Sequence, residues 1–401
     1  MKSPAFLSAF SFRNFRLLWF GAFLSSVGTW TQDVAVAWYI HTRTSDPFYL
    51  GLRSFAAEAP LIALMLLGGA VADRVDRRRI LIASQVLQMS MAAALGLLYA
   101  TGHLGVAAIL VAAFLTGLAQ SQSSPTYQAV LTSVVPPAHI QNAVALNSLQ
   151  FNLSRALGPA LAGLLLLRGG TGACFAVNVV SFLAVLVAIT RIELPPILPR
   201  ADTLAESLAA GLRHVRGDPV LRLFTLMGLC GSFLVFPLIT YLPVVAGDVQ
   251  GTGAAGFGAL LSAYGAGAVG GAVTTAHQGA HPRRGRRMLA AVGIYAACAG
   301  AAVFSRHQAV SMALLFVAGW SMVTAFSTLI SLVQENAPNE LRGRIMSIYG
   351  VAFRGGSPLG ALVAGLFVRR YGAPPVIGVF CALLAALALV AWLRRPHLRT
   401  V

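Results

Sequence analysis

From Ile80 to Ser154 the chain runs 75 residues without a single Asp, Glu, Lys or Arg. A water-soluble fold would have to leave part of that run on its surface, and soluble domains carry about a quarter charged residues. The run belongs in lipid. The rest of the chain agrees, with 57% hydrophobic and only 10% charged residues over 401 positions.

Stretches of about 20 apolar residues cross a bilayer core of roughly 30 Å as helices. Twelve are read here, near 17–40, 48–72, 80–101, 104–127, 142–167, 173–191, 220–245, 255–277, 288–305, 308–333, 345–368 and 373–393. Each is about twice the ~10 residues of a membrane-barrel strand, so the expected fold is an all-α integral membrane protein. Gly102-His103, Arg168 to Gly172 and Arg306-His307 read as tight turns between antiparallel neighbours. The first apolar run contains Asp33 and exceeds the roughly 7 to 15 residues of a signal h-region, so it is expected to be a retained span.

Orientation follows from the basic residues. With both termini placed inside, the inner loops and tails hold 21 of the 29 Lys and Arg residues, the bias that cytoplasmic loops carry. The chain is expected to sit in the cytoplasmic membrane as a multi-pass protein with both termini cytoplasmic. A net charge of +17 can signal nucleic acid, but these arginines lie in short loops beside helix ends rather than on one face. The cysteines, Cys174, Cys230, Cys298 and Cys381, fall in four different spans with no Cys-x-x-Cys pair and read as buried thiols.

The chain repeats itself. A Gly-Gly-Ala-Val tetrad at 68–71 precedes an arginine cluster, and the same tetrad recurs at 270–273, before a second cluster. Arg155-x-x-x-Pro159 is echoed 199 residues later by Arg354-x-x-x-Pro358. The twelve spans are therefore read as two six-helix bundles in a pseudo-two-fold repeat, residues 1–191 and 220–401, a signature of secondary transporters that rock two bundles about a central site. Between them, 192–219 is read as a cytoplasmic linker. Pro195, Pro196 and Pro199 stiffen it, Thr203 and Glu206 form a capping box, and Leu204, Leu208, Leu212 and Val215 share one face of an amphipathic helix.

Gly69-x-x-x-Asp73-Arg74-x-x-Arg77-Arg78 resembles the signature that the major facilitator superfamily places between its second and third helices. The stretches NSLQFNLSRALGPALAGLL, ESLAAGLRHVRGDP and NELRGRIMSIYGVAFRGGSPLGALVAGLF resemble its transmembrane secretion effector branch, which includes enterobactin-exporter-like proteins. The resemblance implies export of a small molecule, such as a siderophore or drug, driven by an ion gradient, with protons as the coupling partner and a monomer as the working unit. The fifth-helix motif of superfamily antiporters is matched at Gly158, Pro159 and Gly163, while Ser154 and Ala162 replace two of its glycines. The fourth span lacks the arginine that such antiporters often carry, so any proton path must use other groups.

Those groups are sought among ionisable residues inside the spans, because each costs several kcal/mol in lipid unless it faces protein or water. Asp33, Glu58, Arg155 and Arg354 are the candidates for proton coupling or substrate contact, or else for purely structural pairing. Arg53, five residues from its helix end, is expected to snorkel to the interface. Polar stripes, with Gln120 and Ser124 in the fourth span and Thr324, Thr328 and Glu335 in the tenth, read as cavity lining together with Trp30, or as ordinary helix-helix hydrogen bonding. Asp73 is expected to latch the inner gate, with Gly69, Arg74, Arg77 and Arg78 around it, by accepting hydrogen bonds at the start of the eleventh helix or pairing with Arg342 or Arg344. The bland reading of those arginines is a topology anchor.

Some classes are closed off. The one lysine is Lys2, so no P-loop exists, and no clustered Cys/His metal motif is present. No enzyme chemistry, cofactor or nucleic-acid partner is expected. An importer or lipid-moving transporter of the same fold, and a receptor or scaffold that has lost transport, remain as rival readings.

Overall fold

A computed structural model describes residues 5–44, 46–67, 76–194, 212–278 and 284–394. After a 3-10 turn at Ala5–Ser11 come α1 (Arg13–Arg43), α2 (Phe48–Leu67), α3 (Arg77–Ala100), α4 (Val106–Ser133), α5 (Ile140–Arg168) and α6 (Gly170–Arg191). Then follow α7 (Pro219–Val249), α8 (Gly253–Gln278), α9 (Arg284–Phe304), α10 (Gln308–Asn336), α11 (Arg342–Tyr371) and α12 (Ala373–Arg394). Nine of them, α3, α4 and α6 to α12, are long and apolar enough to cross a membrane. The other three are the ones that carry Asp33, the Arg53 and Glu58 pair of residues, and Arg155.

Local chemistry sets the helix ends. Asp76 caps α3 by accepting from the amide of Arg78, and Asp218 caps α7 by accepting from Val220 and Leu221, with Pro219 at the first helical position. The reversals from α5 to α6 and from α11 to α12 are nearly immediate because Gly170 and Gly372 take φ values of 66° and 79°, a region closed to most side chains. In α7 the helix is interrupted at Phe236, where Pro237 has no amide hydrogen to continue the ladder. It resumes and ends in a π turn at Val245–Val249, four residues beyond the end read from sequence.

The packing order repeats. Within the first six helices α1 lies on α5 and α6, α2 on α4, and α3 on α4 and α6. Within the last six α7 lies on α11, α8 on α10, and α9 on α10 and α12. Across the two sets α2 runs along α11 and α5 along α8. Lipid gives apolar helix faces little reason to associate, so small residues that let backbones approach matter most. Gly117 of α4 sits against the carbonyl of Ala57 in α2, and 202 positions later Gly319 of α10 sits against the carbonyl of Tyr264 in α8. An added Cβ would collide with each.

Call the end that carries residues 13, 191, 219, 342 and 394 the near end, and the opposite one the far end. At the far end one buried cluster draws on both sets of helices, including Ile40, Leu50, Tyr241, Phe257 and Ala364. Toward the near end the described residues form two separate clusters, one around Phe15, Leu131, Leu146 and Ile189, the other around Leu221, Phe224, Leu332 and Ile345. The two sets of helices therefore meet at the far end and part toward the near end. Large apolar side chains such as Leu97, Leu167, Val180 and Leu393 point outward and exposed, as a lipid-facing surface requires. Most of the linker, 195–211, with Thr203, Leu204, Glu206 and Leu208, lies outside the described residues. Its last turn is helical at 212–217, where Val215 is buried with Leu221 and Phe224 and Leu212 is exposed.

Candidate functional site

α2 carries the first ion pairs. Arg53 binds Asp33 of α1 through Nη2 and Oδ1, so this arginine does not snorkel. A carboxylate on the neighbouring helix gives it a charged partner in place of the interface. One turn further along α2, two residues before Pro60, Glu58 faces α11. Its Oε2 lies 3.8 Å from Nη1 of Arg354, and the two side chains are 40% and 43% exposed. This pair joins the first six helices to the last six across a solvent-accessible gap.

Arg155 of α5 is treated differently. It is only 8% exposed, and its guanidinium lies 6.0 Å from the ring centre of Trp30 on α1 and 5.1 Å from that of Tyr264 on α8. The repeat-related arginines therefore both reach across to the other set of helices, Arg354 to an acid and Arg155 to an aromatic ring. Of the fifth-helix motif, Gly158 packs tightly on Trp30 while its carbonyl accepts from the Thr31 hydroxyl at 3.1 Å. Pro159 and Gly163 lie where Gly258 of α8 comes close. This motif acts as a packing seam for α5.

The stripes on α4 and α10 divide. Thr324 and Thr328 turn their hydroxyls back on their own helix, to the carbonyls of Trp320 at 3.0 Å and Thr324 at 2.7 Å. Ser124 is exposed and Gln120 half-buried. Glu335 leaves the stripe: it pairs with Arg284 at the start of α9, at 2.5 Å and at the near end. Of the latch, Gly69, Asp73 and Arg74 lie outside the described residues. Arg77 opens α3, Arg78 donates to the carbonyl of Ile192, and Arg342 donates from Nε to the carbonyl of Gln334 at 3.0 Å, with Arg344 exposed beside it.

The far end holds contacts that the sequence reading did not single out. The rings of Trp38 and Phe257 stack at 6.4 Å, Arg369 approaches Asp46 at 3.4 Å, and Nε2 of His41 lies 3.4 Å from Oδ1 of Asp248, an ion pair when the imidazole is protonated. Each couples one of α1, α2 or the loop between them to the last six helices. Their partners are 200 or more positions apart in the chain, and no local pattern announces them. Tyr264 was equally silent, since one tyrosine among the glycines of α8 reads as filler. Among the described residues no group of His, Cys, Asp and Glu is arranged to hold a metal.

The transmembrane secretion effector family matches residues 5–400, nearly the whole chain. The chain belongs to that family, within the major facilitator superfamily. The multidrug efflux pump Tap of Mycolicibacterium fortuitum is 25% identical over 360 residues, covering 87% of this chain and 88% of that one. The macrolide efflux protein A of Streptococcus pyogenes is 20% identical over 90% of each chain. The staphyloferrin A transporter of Staphylococcus aureus is 29% identical over 148 residues, a match spanning 36% of this chain and 37% of that protein. Among solved structures, a mutant of the nucleoside transporter NupG superposes with a TM-score of 0.77 at 11% identity, over 96% of this chain and 100% of that one. A bacterial homologue of the lysosomal transporter Spinster, inward-facing and unoccupied, gives 0.73 at 16% identity over 100% of both chains. Family membership makes the protein a multi-pass membrane transporter of small molecules and not an enzyme.

Proposed function

We propose that this transporter exports a small amphipathic molecule, such as a siderophore, macrolide or other drug, across the cytoplasmic membrane by alternating access coupled to protons. In this reading twelve helices form two six-helix bundles, 1–191 and 220–401, joined by the linker 192–219, and the chain works as a monomer. The near end faces the cytoplasm, so the present state is closed outward and open inward. The efflux activity named for relatives matched over about nine-tenths of their length supports the direction.

One observation carries the mechanism: the exposed Glu58–Arg354 pair between the bundles, about 15 Å into α2 at 1.5 Å per residue from Phe48. A carboxylate beside a guanidinium stays ionised, whereas the same carboxyl without its partner and away from water favours the proton. Rocking the bundles apart would change Glu58 between those environments and so exchange a proton for substrate. Asp33, held by Arg53 close by, would bias Glu58 through its charge. In the outward-open state the near end must close, and Asp73, with Gly69, Arg74, Arg77 and Arg78, would latch it against the start of α11 near Arg342 and Arg344.

The test is accumulation of siderophores, macrolides and other amphipathic compounds in cells with and without the protein. Lower intracellular levels of at least one compound, restored on collapse of the proton gradient, are expected. Higher levels would make the protein an importer, and no change across the panel would favour a receptor.

A further inference from the structure

Among the described residues three arginines lie well inside the helices, and they are not equally provided for. Arg53 has Asp33 and Arg354 has Glu58, but Arg155 has no carboxylate. The sequence shows why. Neither α5 nor α8 contains an Asp or Glu. At the 202-residue offset of the Gly-Gly-Ala-Val tetrads, the position matching Glu58 of α2 is Leu260 of α8, so where α2 offers an acid to its arginine, α8 carries an apolar residue.

Arg155 is nevertheless only 8% exposed, and its Nε and Nη2 are shielded from solvent and make no hydrogen bond of ordinary geometry. These two nitrogens form one edge of the guanidinium. The Tyr264 hydroxyl lies beside the guanidinium as a neighbouring neutral oxygen, itself buried and without a hydrogen bond of ordinary geometry. Ring faces of Trp30 and Tyr264 compensate part of the charge, but a π face is no substitute for acceptors along the donor edge. Leaving several buried donors unmet is costly, and a charge buried unpaired more so. An arrangement of this kind suits a ligand that brings the missing acceptors.

We infer that Arg155, Trp30 and Tyr264 form a subsite for a carboxylate, so that the transported molecule is an amphipathic organic acid. Two carboxylate oxygens match the Nε and Nη2 edge in the side-on bidentate geometry that guanidinium favours. A halide or a single water could bridge both donors only through bent contacts, whereas a carboxylate gives each donor its own oxygen in line. Trp30, half-buried and also in edge contact with Phe151 at 6.4 Å, offers apolar surface for the rest of the acid. The inference rests on the exporter reading only for the word transported; the subsite itself rests on the geometry.

The test uses the purified full chain in lipid nanodiscs with 2-naphthoate and its neutral counterpart 2-naphthamide, titrated calorimetrically. Wild type should bind the acid about tenfold or more tighter than the amide. Arg155→Gln should remove that preference and leave amide binding unchanged, and Arg155→Lys, with charge but no fork, should recover only part of it. Equal binding of acid and amide by wild type, no binding of the acid, or undiminished acid binding by Arg155→Gln would overturn the subsite. A melting curve guards against a merely structural role. Removing an unsatisfied buried cation in Arg155→Met should leave the melting temperature unchanged or raised, whereas a lowered one would make the arginine a structural strut. Arg155-dependent acid binding without export of any acid from cells would sink the exporter reading and spare the subsite. Export of neutral or cationic compounds without Arg155-dependent acid binding would do the reverse.

Discussion

Glu58 and Arg354 stand 3.8 Å apart, one on α2 and the other on α11. Exposed at 40% and 43%, the pair contributes little to stability, in the range of about 0–1 kcal/mol typical of solvated pairs. In the proposed mechanism it forms between helix sets that separate during transport. Glu58→Gln, which keeps size and hydrogen bonding but cannot ionise, should reduce proton-driven efflux about tenfold or more while substrate exchange across the membrane persists. Efflux and exchange measured in the same proteoliposomes decide it. Full proton-driven efflux by the Gln variant would put the proton path elsewhere.

Asp33 and Arg53 form the more sheltered pair, with side chains 35% and 22% exposed. Removing Arg53 alone strands a carboxylate between α1 and α2. The cost of Arg53→Ala should fall between the roughly 0–1 kcal/mol of exposed pairs and the roughly 3–5 kcal/mol of buried pairs broken on one side. Adding Asp33→Asn should return most of that loss, because the stranded charge is then gone. Thermal unfolding of the two variants in detergent checks this; a double variant no more stable than the single one would mean that Arg53 acts through packing alone.

How far the sequence could be read depended on range. The charge-free run from Ile80 to Ser154, the recurring Gly-Gly-Ala-Val tetrad and the matched Arg155 and Arg354 pointed to helical spans and an internal repeat, because hydropathy and spacing are local properties, and the Gly69-to-Arg78 signature carried the resemblance to the family. The same residues could not say what each arginine meets. Arg155 meets Tyr264 and Arg354 meets Glu58 through cross-set helix contacts more than 100 positions apart in sequence, and Arg53 found Asp33 rather than the interface. The polar stripe of α10 stayed ambiguous for a local reason. Thr324 and Thr328 have carbonyls four residues back within reach, and a helix satisfies such hydroxyls without any cavity.

Orientation has its own test. The proposal that the near end is cytoplasmic rests on 21 of 29 basic residues falling on one side. Reporter fusions after Arg200 and after Arg395 should both show cytoplasmic activity, an enzyme active in the cytoplasm lighting up and one active outside staying dark. An outside signal at either position would break the alternation of spans.

The last prediction sets the two ends against each other. At the far end Gly51 of α2 faces α11 and α7 so closely that an added Cβ would lie 2.5 Å from both the Ala361 carbonyl and the Tyr241 hydroxyl. Tyr241 is fixed by its own 2.8 Å bond to that carbonyl, so it has little room to yield. Gly51→Ala should therefore push the bundles apart at the far end and populate the opposite state. Asp73→Asn should act in the other direction, since the proposed near-end latch stabilises only the state in which that end is shut. A differential stabilisation of about 1–3 kcal/mol corresponds to a five- to 150-fold change in the population ratio. A single cysteine at position 257, introduced as Phe257→Cys in a chain otherwise lacking cysteine, reports the far end because Phe257 is buried there against Trp38. An impermeant thiol reagent applied from the far side should label it faster with Gly51→Ala and more slowly with Asp73→Asn than in their parent. Equal rates for Gly51→Ala and its parent would mean that the α2–α11 seam gives without opening the bundle, and equal rates for Asp73→Asn would return the arginine loop to anchoring topology alone.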